Sequence, residues 1–322
     1  QPRHTQTGNA IMSNTLSLSA SRLDRLFRLL AGASALLLPL VLVAFLIQLG
    51  WGAAPVWREF GPGFITGTSW DPVANEYGAL PAIAGTIFTT ALALLLAIPP
   101  AFVTALYLVD CPAGIGEVLS QALDLLAAIP SVIYGMWGLF ILVPLMQDHV
   151  QPFLSETLGL GKIPCFGVDG NGFGLLTASL ILALMILPYM SAVMRNVFKM
   201  TPGMLRESAY GIGCTRWETA KDIVMRYGIR GLLGGVFIGL GRALGETMAV
   251  LFVIGNVVEI PESLYGSTTT IAATLANNFA EADGIMRSVL FALGLILLLL
   301  ALGVQVLAQY YLMMTGSKRG ER

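Results

Sequence analysis

The sequence predicts an all-α, polytopic membrane protein with six transmembrane helices and a helical hairpin on the cytoplasmic side. Of its 322 residues, 56% are hydrophobic and only 11% are charged. A soluble domain carries about a quarter charged residues, so this chain could not cover a water-exposed surface. Its apolar stretches are also roughly 20 residues long or longer, the length that an α-helix needs to cross a bilayer. Transmembrane β-strands would instead be about ten residues of alternating polarity, a pattern these stretches lack.

Six apolar stretches are the predicted spans. Five of them are free of charged residues. The remaining stretch, which is the fifth along the chain, contains Arg242 and Glu246. The first lacks an evident small-residue cleavage site, so we expect a retained helix rather than a signal peptide. The stretches cover residues 29–49, 79–109, 125–147, 173–194, 231–258 and 288–316.

Basic residues predict the orientation. Fourteen of the 18 lysines and arginines fall in the N-terminal tail, the 195–230 segment and the C-terminal tail. Loops rich in Lys and Arg remain in the cytoplasm, so both termini and the 195–230 loop are predicted to be cytoplasmic. The predicted organisation is a tail over residues 1–26, a transmembrane domain over 27–313 and a tail over 314–322.

The cytoplasmic 195–230 segment predicts a helical hairpin. Thr201-Pro202 is expected to begin the first helix, with Pro at the first helical position. Gly213 fits the left-handed position that follows a helix, and Thr215 with Glu218 forms a capping box for the second helix. Leu205, Ala209 and Ile212 are predicted to share one face of the first helix, and Trp217, Ala220 and Val224 one face of the second.

The hairpin resembles the EAA loop of ABC importer permeases, the loop by which the membrane subunit docks on its ATPase. The resemblance lies in Glu207-Ser208-Ala209, Gly213 and the later Ile223-x-Met225. Ser208, Met225 and Arg226 depart from the usual alanine, leucine and proline. The chain has no Gly-rich phosphate loop, so it is predicted not to be an enzyme, with ATP and Mg used by a partner ATPase. The predicted coupling residues are Glu207, Ser208, Ala209, Gly213, Thr215, Arg216 and Trp217.

Arg242 and Glu246 are the candidate functional residues inside the membrane. An arginine at the centre of a bilayer costs roughly 2.5–3.5 kcal/mol on insertion scales and marks a functional site by default. The spacing of four places Glu246 one turn further along a continuous helix, within reach of an ion pair. Arg242 is therefore predicted to meet an anionic substrate, with Glu246 holding the guanidinium when the site is empty. A purely structural ion pair is the alternative.

Two glycine pairs lie on the same predicted helix, Gly235-x-x-x-Gly239 and Gly241-x-x-x-Gly245. Small residues at this spacing let another helix approach closely. A helix of a partner subunit is one candidate for that neighbour.

The blocks 239–250 and 129–140 are similar to phosphate ABC importer permeases of the PstC type, and the similarity covers most of residues 79–313. The resemblance implies a type I permease-like fold in a bacterial inner membrane. It implies a heterodimer with a PstA-type permease, a PstB-type ATPase dimer and an extracytoplasmic phosphate-binding protein, and it associates Arg242 and Glu246 with the phosphate route. A permease for sulfate or molybdate and a stand-alone secondary transporter are the alternatives.

Other reactive residues predict no further site. Cys111, Cys165 and Cys214 form no motif, and neither histidine suggests a metal or catalytic centre. Asp124 is expected to cap a helix or to reach the membrane interface at the start of the third span. Met12 is a possible first residue of the natural chain, so no function is attached to residues 1–11.

Overall fold

A computed structural model describes residues 7–163, 166 and 170–317 of the chain. The Cα packing divides it into two units, and the boundary in the chain lies between Gly52 and Ala53. The described residues of the first unit, 7–52, are helical throughout. The helices are α1 (Thr7–Glu59), α2 (Gly63–Thr66), α3 (Leu80–Asp110), α4 (Ala113–Ala128), α5 (Ser131–Trp137), α6 (Val143–Leu145), α7 (Leu175–Lys199), α8 (Gly203–Gly211), α9 (Arg216–Glu218), α10 (Met225–Leu244), α11 (Met248–Leu251), α12 (Ile271–Asn278) and α13 (Gly284–Ser317). Two short strands, β1 (Trp70–Asp71) and β2 (Glu76–Tyr77), pair antiparallel in the second unit.

Six helices in the described part of the chain are long and apolar enough to cross a membrane, as predicted. The apolar stretches of the first, second, fourth and sixth spans lie where the sequence placed them. The third and fifth spans are displaced, for different reasons. The six spans cover Asp24–Glu59, Leu80–Asp110, Ser131–Thr157, Leu175–Lys199, Arg216–Leu244 and Gly284–Met314.

The third span begins later than predicted because the helix breaks at Ile129-Pro130. Ile129 adopts an extended backbone at the end of α4, as the steric demand of a following proline favours. The first residues of the predicted span therefore belong to α4. Asp124 is an exposed residue of α4 rather than the start of a span. After α5 the helix continues to Thr157 through three π-helical segments, Gly138–Leu142, Met146–Val150 and Phe153–Thr157.

The fifth span begins earlier and ends earlier than predicted. Residues Thr219–Val224 form a π-helical segment that joins α9 to α10. The second helix of the hairpin and the fifth span are thus one continuous helical segment, Arg216–Leu244, and the expectation of a separate short second helix was wrong. The segment ends at Gly245, well before residue 258.

The larger of two hydrophobic cores in the second unit forms where α3 packs against α7. Four alanines spaced four residues apart on α3 are completely buried. Small side chains on one face let two membrane helices approach closely, and the larger residues Met190, Met194 and Phe198 of α7 fill the core. The alanines are Ala93, Ala97, Ala101 and Ala105.

Glycines of α10 bring that helix against α7 as well. A Cβ atom at Gly239 would lie 2.7 Å from Sδ of Met190, and one at Gly235 would lie 3.3 Å from Cγ1 of Val193. The neighbour of the first glycine pair is therefore α7 of the same chain. Gly241 and Gly245 of the second pair are exposed.

Candidate functional site

Arg242 lies in the last turn of α10, with its guanidinium over an aromatic ring. Its Cζ atom is 4.0 Å from the centroid of the Tyr189 ring of α7. A guanidinium on an aromatic face is stabilised by the ring quadrupole, by about 0.5–2 kcal/mol depending on desolvation. Nε of Arg242 is buried, and its N–H donates no hydrogen bond to any described group. The ring, and not a carboxylate, is the group that holds this arginine.

Tyr189 also fixes the break between α4 and α5. Its hydroxyl donates to the carbonyl of Ala127, and the hydroxyl of Tyr134 donates to the carbonyl of Leu126 at 2.9 Å. These carbonyls lie in the last turn of α4, where helical partners are missing. Tyr189 therefore supplies a donor to Ala127, and Tyr134 adds a second donor to Leu126, whose carbonyl also accepts the N–H of Ile129 at 3.3 Å. Tyr189 connects the broken helix to Arg242.

The structure contradicts the predicted ion pair between Arg242 and Glu246. Glu246 follows the end of α10, and its Oε1 accepts the N–H of Ala249 at 3.1 Å, so it caps α11. No ion pair joins the two residues in the part of the chain that the structure describes. The spacing of four has meaning only in a continuous helix, and Gly245, a poor helix former, ends α10 between them.

The two blocks of sequence singled out above, 129–140 and 239–250, pack against each other. A Cβ atom at Gly135 of α5 would lie 2.8 Å from the carbonyl oxygen of Met248 and 3.1 Å from Cα of Ala249. Only glycine allows the backbones to approach this closely. Both interrupted helices, one broken at Ile129-Pro130 and the other at Gly245, thus meet near Arg242 and Tyr189. Irregular backbone at membrane depth is tolerated where protein buries it or where it lines a cavity.

Gly213 follows the end of the first hairpin helix and Thr215 caps the start of the second, as predicted. Gly213 has φ +93°, and the N–H of Cys214 donates to the carbonyl of Ala209 at 3.0 Å. This bond and the one from Gly213 to Tyr210 form a Schellman motif. The capping box is complete, since Thr215 N–H donates to Glu218 Oε2 at 2.7 Å and Glu218 N–H to Thr215 Oγ1 at 3.3 Å.

The predicted start of the first hairpin helix was wrong. α8 begins at Gly203 after Pro202, and no side chain caps it. Thr201 instead belongs to the turn that closes α7, because its N–H donates to the carbonyl of Phe198. Its hydroxyl is buried and makes no hydrogen bond to any described group, so it does not cap α8.

The hairpin exposes large apolar side chains. Of the residues predicted to share its two helix faces, Ala209, Ala220 and Val224 are buried, whereas Leu205, Ile212 and Trp217 are exposed. Ile212 is 83% exposed and Trp217 is 64% exposed, beside exposed Met204. Glu207, Ser208, Gly213, Thr215 and Arg216 are also exposed. A cluster of exposed large apolar side chains with a carboxylate marks an interaction surface.

Arg206 ties the hairpin to two membrane helices, a role that the sequence analysis missed. Its Nη2 donates to the carbonyl of Phe198 of α7 at 2.7 Å, and its Nη1 lies 3.6 Å from Oδ1 of Asp110 at the end of α3. Arg206 directly precedes the recognised Glu207, but its partners are 8 and 96 residues away in the chain. Only tertiary packing brings Asp110 to it.

These features define a class: a membrane-embedded helical protein with interrupted interior helices, an arginine where they meet, and a helical hairpin with exposed apolar side chains. Residues 113–312 match the family described as binding-protein-dependent transport system inner membrane component. The chain belongs to this family, and it is a multi-pass membrane protein with six spans among its described residues.

Curated relatives match nearly the whole chain. It is 43% identical to the phosphate transport system permease protein PstC of Pasteurella multocida over 96% of this chain and 98% of that protein. It is 45% identical to PstC of Haemophilus influenzae over 89% of this chain and 92% of that one. A probable phosphate transport system permease protein PstC of Methanocaldococcus jannaschii is 34% identical over 84% of this chain and 89% of that protein.

Solved structures with the same fold are ABC transporters. One is a bacterial alginate ABC transporter in complex with a periplasmic protein that binds an alginate pentasaccharide. The match covers 86% of this chain and 92% of the transporter chain, with a TM-score of 0.57 and 19% identity. A second structure of a bacterial alginate importer has a TM-score of 0.54, also at 19% identity, and covers 87% of this chain and 94% of its own. At this identity the likeness concerns the fold, which is the predicted type I permease-like architecture.

Proposed function

We propose that the chain is the membrane-spanning permease subunit of an ATP-driven, binding-protein-dependent importer of inorganic phosphate. The observation that carries the proposal is 43–45% identity, over most of the chain, to proteins named phosphate transport permeases. These names favour neither a sulfate or molybdate permease nor a stand-alone secondary transporter.

Arg242 is the proposed contact for phosphate in the transmembrane pathway. Its planar N–H fork can donate two parallel bonds to an oxyanion. The Tyr189 ring occupies the face of the guanidinium, and the edge carries the N–H donors. With no carboxylate paired to it among the described residues, the arginine keeps its positive charge for a substrate. Glu246 borders the same region, and we propose that it acts by fixing the start of α11.

The hairpin is the proposed docking site for the ATPase. Glu207, Ser208, Ala209, Gly213, Thr215, Arg216 and Trp217 are its proposed coupling residues, and the Schellman motif and capping box hold the turn between α8 and α9 in one conformation. Arg206 then carries motion of α8 to α3 and α7 through its two contacts. Since α9 continues into α10, movement of the hairpin also reaches the helix that carries Arg242.

The proposed assembly contains a PstA-type permease, a PstB-type ATPase dimer that uses ATP and Mg, and an extracytoplasmic phosphate-binding protein. This chain supplies no nucleotide-binding motif and is proposed to do no hydrolysis itself. The excess of basic residues at the hairpin and tails supports a bacterial inner-membrane orientation with both termini cytoplasmic. Arg3, Lys318, Arg319 and Arg322 of that count lie outside the described residues.

Initial-rate uptake of labelled phosphate tests the function. Cells lacking only this gene should recover uptake when it is restored, and excess sulfate or molybdate should not compete. Competition by either anion would assign the permease to that substrate. Failure of restored cells to take up phosphate, with all partner subunits detected, would refute the proposed substrate. Absence of a co-purifying ATPase in mild detergent would refute the importer.

A further inference from the structure

A cavity of about 470 Å³ opens at the hairpin end of the bundle. The last turn of α3, the first turns of α4 and the last turns of α7 form its wall, with Cys111 between α3 and α4. Its size falls within the range of sites for small ligands, roughly 300–1,000 Å³. It is separate from the region around Arg242 and Tyr189, none of whose residues lines it.

The cavity carries two cations one helical turn apart. Arg195 and Lys199 both line it from α7, and the only carboxylate among its lining residues is Glu117 of α4. No ion pair between described residues joins Glu117 to either cation. The nearby carboxylate of Asp110 is engaged by Arg206 at 3.6 Å. The cavity therefore has an excess of positive charge that the protein does not neutralise.

One buried hydrogen-bond donor of the cavity lining has no partner. Nε of Arg195 is buried and makes no hydrogen bond to any described group. A buried donor left without an acceptor destabilises the protein, and more so when the donor is charged. Ser120 and Gln121 of α4 add a hydroxyl and an amide to the same wall. An acceptor-rich, negatively charged group would satisfy these donors.

We propose that this cavity is a binding site for a phosphate group at the cytoplasmic surface of the membrane, held by Arg195 and Lys199. A phosphate offers both the negative charge and several acceptor oxygens, and guanidinium and ammonium groups are its usual protein partners. Basic pockets between transmembrane helices on the cytoplasmic side recognise lipid headgroups in this way. The site is independent of which substrate Arg242 meets.

An anionic lipid headgroup and inorganic phosphate share this chemistry. Exposed Ile115 and Val118 lie on α4 beside the cavity-lining residues of the same helix, so an acyl chain has an apolar surface next to the phosphate site. Inorganic phosphate would occupy the cavity from the cytoplasm without needing that surface. The experiment below separates the two sources.

Cys111 is a built-in reporter for occupancy. It is a free, partly buried thiol that lines the cavity. With Cys165→Ser and Cys214→Ser it becomes the chain's single cysteine, and mass spectrometry of its peptide measures the rate of maleimide labelling. The full complex would be placed in phosphatidylcholine nanodiscs, with or without phosphatidylglycerol, and separately in phosphatidylcholine nanodiscs with inorganic phosphate.

Slower labelling with phosphatidylglycerol alone would identify a lipid headgroup site, and slower labelling with inorganic phosphate alone would identify a free-phosphate site. Lys199→Gln removes an exposed cation and should raise the half-protecting concentration roughly fivefold, the contribution of one near-surface cation. Arg195→Gln with Lys199→Gln should abolish protection. Glu117→Gln should instead strengthen protection, because it removes from the cavity wall a negative charge that repels a phosphate group.

Lys221→Gln is the matched control, because it removes an exposed cation of the hairpin that does not line the cavity. Its protection should equal that of the unmodified chain. Equal labelling rates under all three conditions would overturn the proposal. Protection that persists in the folded Lys199→Gln variant with unchanged concentration dependence would also overturn it, since the cation would then contribute nothing.

Discussion

The hairpin and the interior region around Arg242 are built from opposite kinds of interaction. In the hairpin, Gly213, Thr215 and Glu218 act on backbone groups within five residues of themselves. Around Arg242, the decisive partner is Tyr189, 53 residues earlier on a different helix. Local hydrogen bonds thus shape the proposed docking surface, whereas packing between helices places the arginine that is proposed to contact the substrate. Variants of each region should therefore fail in different ways.

The largest effect is expected at Arg242. Arg242→Ala should abolish phosphate uptake while the complex still assembles, because the variant removes the charge without changing the hairpin. Arg242→Lys keeps the charge but not the planar fork, so it should retain only a small part of the uptake. Uptake assays measure transport, and size-exclusion chromatography of the detergent-extracted complex measures assembly. Normal uptake by a correctly inserted Arg242→Ala would reduce the residue to a structural role.

Reversal of charge on the hairpin should separate the ATPase from the permease. Glu207→Lys changes an exposed side chain of α8, so the fold should remain while docking fails. Loss of the ATPase from the co-eluting peak is the expected result. Glu156→Lys, an exposed change outside the hairpin, is the control and should leave the complex intact. An unchanged complex with Glu207→Lys would contradict the docking assignment.

Arg206→Gln probes the connection between the two regions. It removes the ion pair with Asp110 and weakens the hydrogen bond to Phe198, and a bond from a charged donor contributes about 1.5–3 kcal/mol. Uptake should fall on the order of tenfold, the factor that corresponds to 1.4 kcal/mol, while the ATPase stays bound. Asp110→Asn should reproduce part of the loss. Equal loss of binding and uptake would make Arg206 a docking residue instead.

The smallest effect is expected for Glu246→Gln, which distinguishes a cap from an ion pair. A glutamine oxygen can still accept the N–H of Ala249, so the start of α11 should survive and uptake should stay within about twofold, as for a loss below ~0.5 kcal/mol. Glu246→Leu removes the acceptor and should reduce uptake further. A severe defect in Glu246→Gln would show that the negative charge itself matters, in agreement with the original ion-pair hypothesis.

Much of the architecture could be predicted from composition and local pattern. Long apolar stretches have one stable form in lipid, in which each backbone N–H and C=O is paired within a helix, so the number of spans followed directly. The caps at Gly213 and Thr215 were also predictable, because each depends on residues adjacent in the chain. The hairpin's second helix was misjudged in length, since nothing local at Val224 ends it.

The sequence by itself determined that this chain is a six-span membrane protein with a capped hairpin and one arginine of unusual placement. Tertiary structure decided the environment of that arginine. Apolarity continues through residues 245–258, and therefore no hydropathy pattern could report the break at Gly245 that separates Arg242 from Glu246. Likewise, no local signal pairs Tyr189 with Arg242 or Asp110 with Arg206, because these contacts exist only after α3, α7, α8 and α10 have packed together.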